Sequence, residues 1–189
     1  TNTQPLLVAP FDAELFGHWW FEGPAFLKAL FQQGPKEGVR FTSLREVLQA
    51  SPNLQLCDPS PSSWGQGGYH NYWLNETNAW IVPEWERAGA AMVQRCSLGV
   101  GSEQALAYLQ QAGRELLLAQ SSDWSFILRA GTTTDLARER VERHLSRFWT
   151  LMQAIDNGVS LSNDWLQAVE ADDRLFPLIQ PSDWAKVVG

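Results

Sequence analysis

The 189 residues are 44% hydrophobic, enough for one sizeable core or a core with a small appendage, and this is not the composition of a disordered chain. Fourteen Lys and Arg against 21 Asp and Glu leave a net charge of -7 with no Lys/Arg-rich run, which makes nucleic acid and anionic membranes poor partners. No apolar stretch approaches the ~18 residues that span a bilayer, and the first residues lack the basic and apolar parts of a signal peptide, so a cytoplasmic address is expected.

Residues 6–9 form an apolar run that reads as a buried strand of a parallel α/β sheet. Function in such sheets collects at the carboxyl ends of the strands, where Asp12 falls. On a strand Asp12 and Glu14 point the same way, about 7 Å apart at ~3.3 Å per residue. Retaining glycoside chemistry needs two carboxyl groups roughly 5 to 5.5 Å apart, one protonating the departing oxygen and the other attacking. The same pair also suits turn and cap positions after a strand. The neighbours shift the balance toward chemistry. His18 brings a titratable imidazole, and Trp19 and Trp20 bring flat apolar faces on which a sugar ring packs.

Gly23-Pro24 opens a helix over residues 25–33, with Phe26, Leu27, Leu30 and Phe31 on one face, and Gly34-Pro35 ends it. A second short strand is expected over residues 38–41. Thr42-Ser43 then cap a helix carrying Leu44, Val47 and Leu48, with Glu46 three residues after Ser43.

Residues 51–68 change character, and their prolines, serines and glycines mark a long loop. It carries Ser62-Ser63-Trp64-Gly65 and runs into Tyr69-His70-Asn71-Tyr72-Trp73. Such aromatics either fold over the core or stay exposed for a ligand. Helices are expected over residues 78–97, with Pro83 tolerated in the first turns, and over 102–119, with Leu106, Leu109, Leu116 and Leu117 on the core side. Ser121-Ser122-Asp123 reads as a helix end or kink with Asp123 capping the next turn. A long helix follows over residues 136–155, its Arg and Glu residues forming a solvated face and Leu145, Phe148, Trp149 and Met152 the core side. Asn163 caps a last short helix, and Trp165, Phe176 and Trp184 are expected to pin the tail to the body.

Cys57 and Cys96 lack CxxC spacing and a nearby His pair, and His18, His70 and His144 are scattered along the chain. Neither a disulfide framework nor a metal or cofactor site is expected. Ten tryptophans are an unusual number, because rings that large are hard to bury fully. Their excess suits a protein that stacks on flat ligands, carbohydrates among them.

The stretch FDAELFGHWWFEGPAFL resembles the fourth conserved region of family 57 glycoside hydrolases, most closely their 1,4-α-glucan branching enzymes. The resemblance makes Asp12 the general acid/base and sets His18, Trp19 and Trp20 along the sugar site. In those enzymes a Ser-Ser-Trp-Gly stretch and a second tryptophan shortly after it reach into the glucan groove, positions matched by Trp64 and Trp73. LLLAQSSDWSFIL resembles the fifth conserved region, whose aspartate and tryptophan bind substrate; Asp123 and Trp124 inherit that role, with Ser125 replacing the usual proline. The family also has a long N-terminal part that builds most of a (β/α)7 barrel and carries the catalytic glutamate, and nothing here resembles it.

The expected architecture is therefore mainly α: residues 1–50 as the last β/α units of an incomplete (β/α)7 barrel, and residues 51–189 as a helical C-terminal domain with an aromatic loop. The expected function is the C-terminal part of a retaining branching enzyme, with an α-glucan and the N-terminal barrel portion of the same enzyme as partners. An α-amylase or 4-α-glucanotransferase of the same family, or a non-catalytic glucan-binding module, are the alternatives.

Overall fold

A computed structural model describes residues 5–50 and 56–185. Two compact units divide the chain, Thr1–Asp58 and Pro59–Gly189. Regular structure among the described residues is entirely helical, which agrees with the mainly α expectation and corrects the two strands read from the sequence. Residues 6–9 and 38–41 form no strand among the described residues and are exposed, and the Val39 amide donates back to the Gly34 carbonyl at 2.9 Å. A strand is stable only beside neighbours that complete its hydrogen bonds, and an apolar run alone does not supply them.

In the first unit a π-turn, Leu15–Trp19, leads to helix α1, Gly23–Gln33, a 3-10 turn, Gly34–Glu37, and helix α2, Leu44–Ala50. Aromatic rings hold it together in a chain of contacts: Phe11 on Phe16 at 5.6 Å, Phe16 on Trp20 at 5.8 Å and Trp20 on Phe26 at 4.9 Å. Gly23 makes the turn into α1 close enough for this, since a Cβ there would lie 2.9 Å from the Phe16 ring. The expected capping box is formed: the Ser43 amide donates to Glu46 Oε2 at 2.9 Å, and the Glu46 amide donates to Ser43 Oγ at 3.2 Å. The Ser43 amide and the Thr42 hydroxyl hold the Glu46 carboxyl below its ordinary value. The unit still leaves much apolar surface in water, Leu7 at 90% and Phe21 at 96% exposure.

The second unit contains α3 (Ile81–Ser97), α4 (Glu103–Ala119), α5 (Ser122–Ala130), α6 (Thr134–Asp156), α7 (Asn163–Asp172) and α8 (Ser182–Ala185). Their positions follow the apolar periodicity. Ser102 caps α4 by accepting from the Ala105 amide at 3.1 Å, and Ser162, one residue before the expected Asn163, caps α7 by accepting from the Trp165 amide at 3.5 Å. The core joins Ile81, Ala88 and Met92 of α3, Leu109, Ala112 and Leu116 of α4, and Val141, Phe148 and Leu151 of α6. Burial of this many large side chains, at about 25 cal/mol per Å2 of apolar surface, is the main stabilising term.

One buried polar network crosses that core. Glu115 accepts from Gln111 Nε2 at 2.8 Å and meets His144 Nδ1 at 2.7 Å. Arg147 donates to Asp173 and Asp172, each at 2.7 Å, tying α6 to the end of α7. Glu115, His144 and Asp173 bring three ligand-type atoms within 4.8 Å of one another, and each is engaged by these protein partners. Burial works against the Arg147 charge, but the Asp172 hydrogen bond and the surrounding carboxylates outweigh it and hold the guanidinium pKa above its ordinary value. Trp165 and Trp184 pack against the core as expected. Phe176 does not: it is 49% exposed and its backbone has φ 52°.

Candidate functional site

In the first unit Asp12 lies just before a helical turn rather than at a strand end. Its carbonyl accepts from the Leu15 amide at 3.1 Å and its carboxyl belongs to an exposed residue. Because the backbone turns here, strand alternation no longer aligns Asp12 with Glu14. Glu14 is engaged elsewhere, accepting from Trp19 Nε1 at 2.5 Å. The Trp19 ring is 70% exposed and lies 5.3 Å from the exposed His18 ring. Trp20 is half-buried between Phe16 and Phe26 and so has a packing role in this unit. This stretch thus presents the Asp12 carboxyl, the His18 imidazole and the open face of the Trp19 indole.

In the second unit the glycine-rich loop is a closed structure. The Ser63 amide donates to Gly68 O at 2.7 Å, and Trp73 Nε1 donates to the Trp64 carbonyl. Two glycines are required for this. Gly68 has φ 78°, and a Cβ on Gly65 would stand 2.9 Å from the Tyr69 carbonyl oxygen. The loop holds Trp64 77% exposed. Trp73 is half-buried and rests 6.1 Å from Phe126, while Tyr72 lies 5.0 Å from the same ring. Asn78, fully buried, fastens loop to helix by donating from Nδ2 to the carbonyls of Tyr72 and Ser125 at 3.3 and 3.2 Å.

The α5 residues divide between an exposed face and the core. Asp123 is exposed, with Oδ2 accepting from Ser121 Oγ at 2.7 Å. Trp124 is half-buried against the core and donates from Nε1 to Leu118 O at 2.7 Å, so its polar edge closes the end of α4. Phe126, 46% exposed, is the ring that sequence reasoning missed. Its position three residues after Asp123 places both on one side of a helix, which was the available signal. Trp73, Tyr72 and Phe126 form an aromatic face with Trp64 exposed on the same loop, and such a face can hold a sugar through its C–H surfaces while nearby polar groups meet its hydroxyls.

The model of the 1,4-alpha-glucan branching enzyme C-terminal family matches residues 84–184. The chain is 34% identical over 176 residues to the 1,4-alpha-glucan branching enzyme TK1436 of Thermococcus kodakarensis, covering 90% of this chain and 26% of that enzyme. It resembles the GH57-type branching enzyme of Pyrococcus horikoshii with a TM-score of 0.80 at 28% identity, over 95% of this chain and 34% of that one. It also resembles the α-amylase AmyC of Thermotoga maritima, with a TM-score of 0.76 at 34% identity, over 99% of this chain and 35% of that one. The chain therefore spans about a quarter to a third of the length of the relatives it matches. With its helical architecture and these likenesses, the chain belongs to the GH57 1,4-alpha-glucan branching enzyme family and corresponds to its C-terminal domain.

Proposed function

We propose that this chain serves as the C-terminal part of a retaining 1,4-α-glucan branching enzyme in the cytoplasm, which opens an α-1,4 bond through a glucosyl-enzyme intermediate and passes the glucan to a 6-hydroxyl. The observation that carries the reading is the aromatic face of Tyr72, Trp73 and Phe126 with Trp64 exposed on the adjoining loop, in a chain of this family. Asp12 protonates the departing oxygen and then takes the proton of the acceptor hydroxyl. His18, Trp19 and Trp20 line the sugar site near it. Trp64, Trp73, Asp123 and Trp124 hold the acceptor and exclude water, which turns hydrolysis into transfer.

The attacking carboxylate belongs to an N-terminal barrel portion of the same enzyme, the partner of residues 1–50. Those residues supply the last β/α units of that barrel, and the helical domain over residues 51–189 carries the aromatic loop. The bare apolar surface around Leu7 and Phe21 supports such a partner. Beside it Asp12 gains the burial that a general acid needs. The chain by itself turns over no glucan.

Incubation of amylose with the complete enzyme tests this, by iodine staining and counting of branches. New α-1,6 linkages are expected. Shortened linear chains without branches would instead establish hydrolysis or disproportionation, the reading favoured by the likeness to the Thermotoga amylase. Turnover by this chain alone would overturn the division of the active site between two portions. Glucan binding by a complete enzyme that shows no turnover would leave a binding module.

A further inference from the structure

The aromatic face is assembled from two stretches far apart in the chain. Tyr72 and Trp73 arrive on the loop and Phe126 arrives on α5, with ring separations of 5.0 and 6.1 Å. Ring contacts of this kind are favourable over a range of offsets, so they do not by themselves fix a position. Among the described residues, one side chain joins the two stretches by hydrogen bonds. Asn78 is 1% exposed, and its Nδ2 donates to the Tyr72 carbonyl on one side and to the Ser125 carbonyl, next to Phe126, on the other.

The clasp is satisfied at every polar atom. Asn78 Oδ1 accepts from the Asn75 amide at 2.8 Å, so both amide protons and the oxygen of the buried side chain are used. Asn75 Nδ2 in turn reaches the carbonyls of Asn71 and Tyr72 at 3.1 and 3.3 Å, which holds the Tyr72 carbonyl from two sides. The hold passes along the loop as well, because the ring of Trp73 donates to the Trp64 carbonyl. A buried polar group whose bonds are all made confers a direction that an apolar residue of the same size would not. The link from Ser125 through Asn78 therefore sets where the loop rings stand relative to α5.

We infer that Asn78 is a positioning residue for glucan transfer: it keeps the loop in register with α5, so that an acceptor glucan is held in place and chosen over water. Being buried, it touches no substrate itself. This role rests on the reading that the aromatic face holds the acceptor. The glucosyl carbon released from its α-1,4 bond ends on a 6-hydroxyl in transfer and on water in hydrolysis, and only hydrolysis exposes a new reducing end. A misplacement of about 1 Å can cost ~10²-fold in rate, and here the cost falls on the acceptor that the loop holds and not on water.

The test counts α-1,6 linkages formed per new reducing end by the complete enzyme acting on amylose. Asn78→Ala should lower that ratio by about tenfold or more. Gln111→Ala removes another fully buried amide side chain from the same unit, on α4 and away from the loop, and should leave the ratio within about twofold. Asn78→Asp keeps the shape, and burial favours its neutral acid, whose single O–H serves one of the two carbonyls. An intermediate ratio is expected there, and this variant decides the matter if the alanine variant does not fold. The amides of Trp73 and Leu74 both donate to the His70 carbonyl at 2.8 Å. In the Asn78 variants their hydrogen exchange should quicken by a clearly larger factor than that of α4. A ratio unchanged in the Asn78 variants overturns the role, as does an equal fall with Gln111→Ala or loop exchange that quickens no more than that of α4. A natural enzyme that forms no α-1,6 linkage overturns the branching reading together with this role, whereas linkages from the natural enzyme with an unmoved ratio in the variants overturn the role of Asn78 alone.

Discussion

At the residue scale, Asp12 and Glu115 are two carboxylates in opposite circumstances, and each implies a different experiment. Asp12 is exposed and unneeded for packing, so Asp12→Asn should leave the fold and glucan binding of the complete enzyme intact. The same change should lower kcat by about 10²- to 10⁴-fold, the contribution of a positioned general acid. A comparable kcat in the variant would remove Asp12 from the mechanism. Glu115 is fully buried, and its removal takes away the acceptor of Gln111 Nε2 and the 2.7 Å partner of His144 Nδ1. Glu115→Ala should cost about 3 to 5 kcal/mol of unfolding free energy, read from urea titration. Asp172 sits at the outer edge of the same network. Its carboxyl is held below the ordinary value, first by the Arg147 hydrogen bond and then by the Arg147 charge. A carboxyl lowered by folding stabilises the protein above its unfolded pKa, and that stabilisation is lost as pH falls through the folded value. Asp172→Asn should therefore flatten the loss of stability below about pH 4, measured as the urea midpoint against pH. An acid limb that stays as steep would show that the pair contributes nothing to stability.

At the element scale, α4 carries a glycine in its middle for a reason outside the helix. A Cβ on Gly113 would stand 2.5 Å from the Trp184 ring and 3.1 Å from Ile179. Alanine favours a helix interior over glycine by about 0.8 to 1.0 kcal/mol, whereas overpacking a core costs about 1 to 3 kcal/mol. The second effect should win: Gly113→Ala is expected to lower Tm in the natural chain and to raise it in a Trp184→Ala background, where the clash is gone. A rise in both would mean that α8 is not seated on α4. This contact was only half legible in the sequence. Trp184 was readable as a pin for the tail, but the surface it meets required knowledge of which α4 face turns toward it. The long helices α3, α4 and α6 were legible because their apolar residues repeat at helical spacing and the caps and breakers stand at their ends. The runs at residues 6–9 and 38–41 carry an equally apolar signal, yet strand formation depends on pairing partners that a local pattern does not contain. The same distinction explains the site. Trp64 was readable from its motif, while Phe126 becomes part of an aromatic face only through contact with Tyr72 and Trp73, a long way earlier in the chain.

At the scale of the whole molecule, the two units differ in what holds them. The second has a closed core in which Phe148, Leu109, Met92 and Leu151 are fully or almost fully buried. The first, among its described residues, has one buried residue, Gly23, and relies on ring contacts at its surface. Hydrophobic burial dominates folding energetics, so their opening free energies should be far apart. Amide hydrogen exchange of the 189-residue chain should find α4 and α6 exchanging only through global unfolding, and α1 and α2 exchanging orders of magnitude faster through local opening. On the proposal that an N-terminal barrel covers Leu7 and Phe21 in the complete enzyme, the difference should narrow there, because that cover removes apolar surface from water. Protection of α1 and α2 equal to that of α4 in the chain by itself would mean that the first unit is stable as it stands, and that its apolar surface does not need a covering partner.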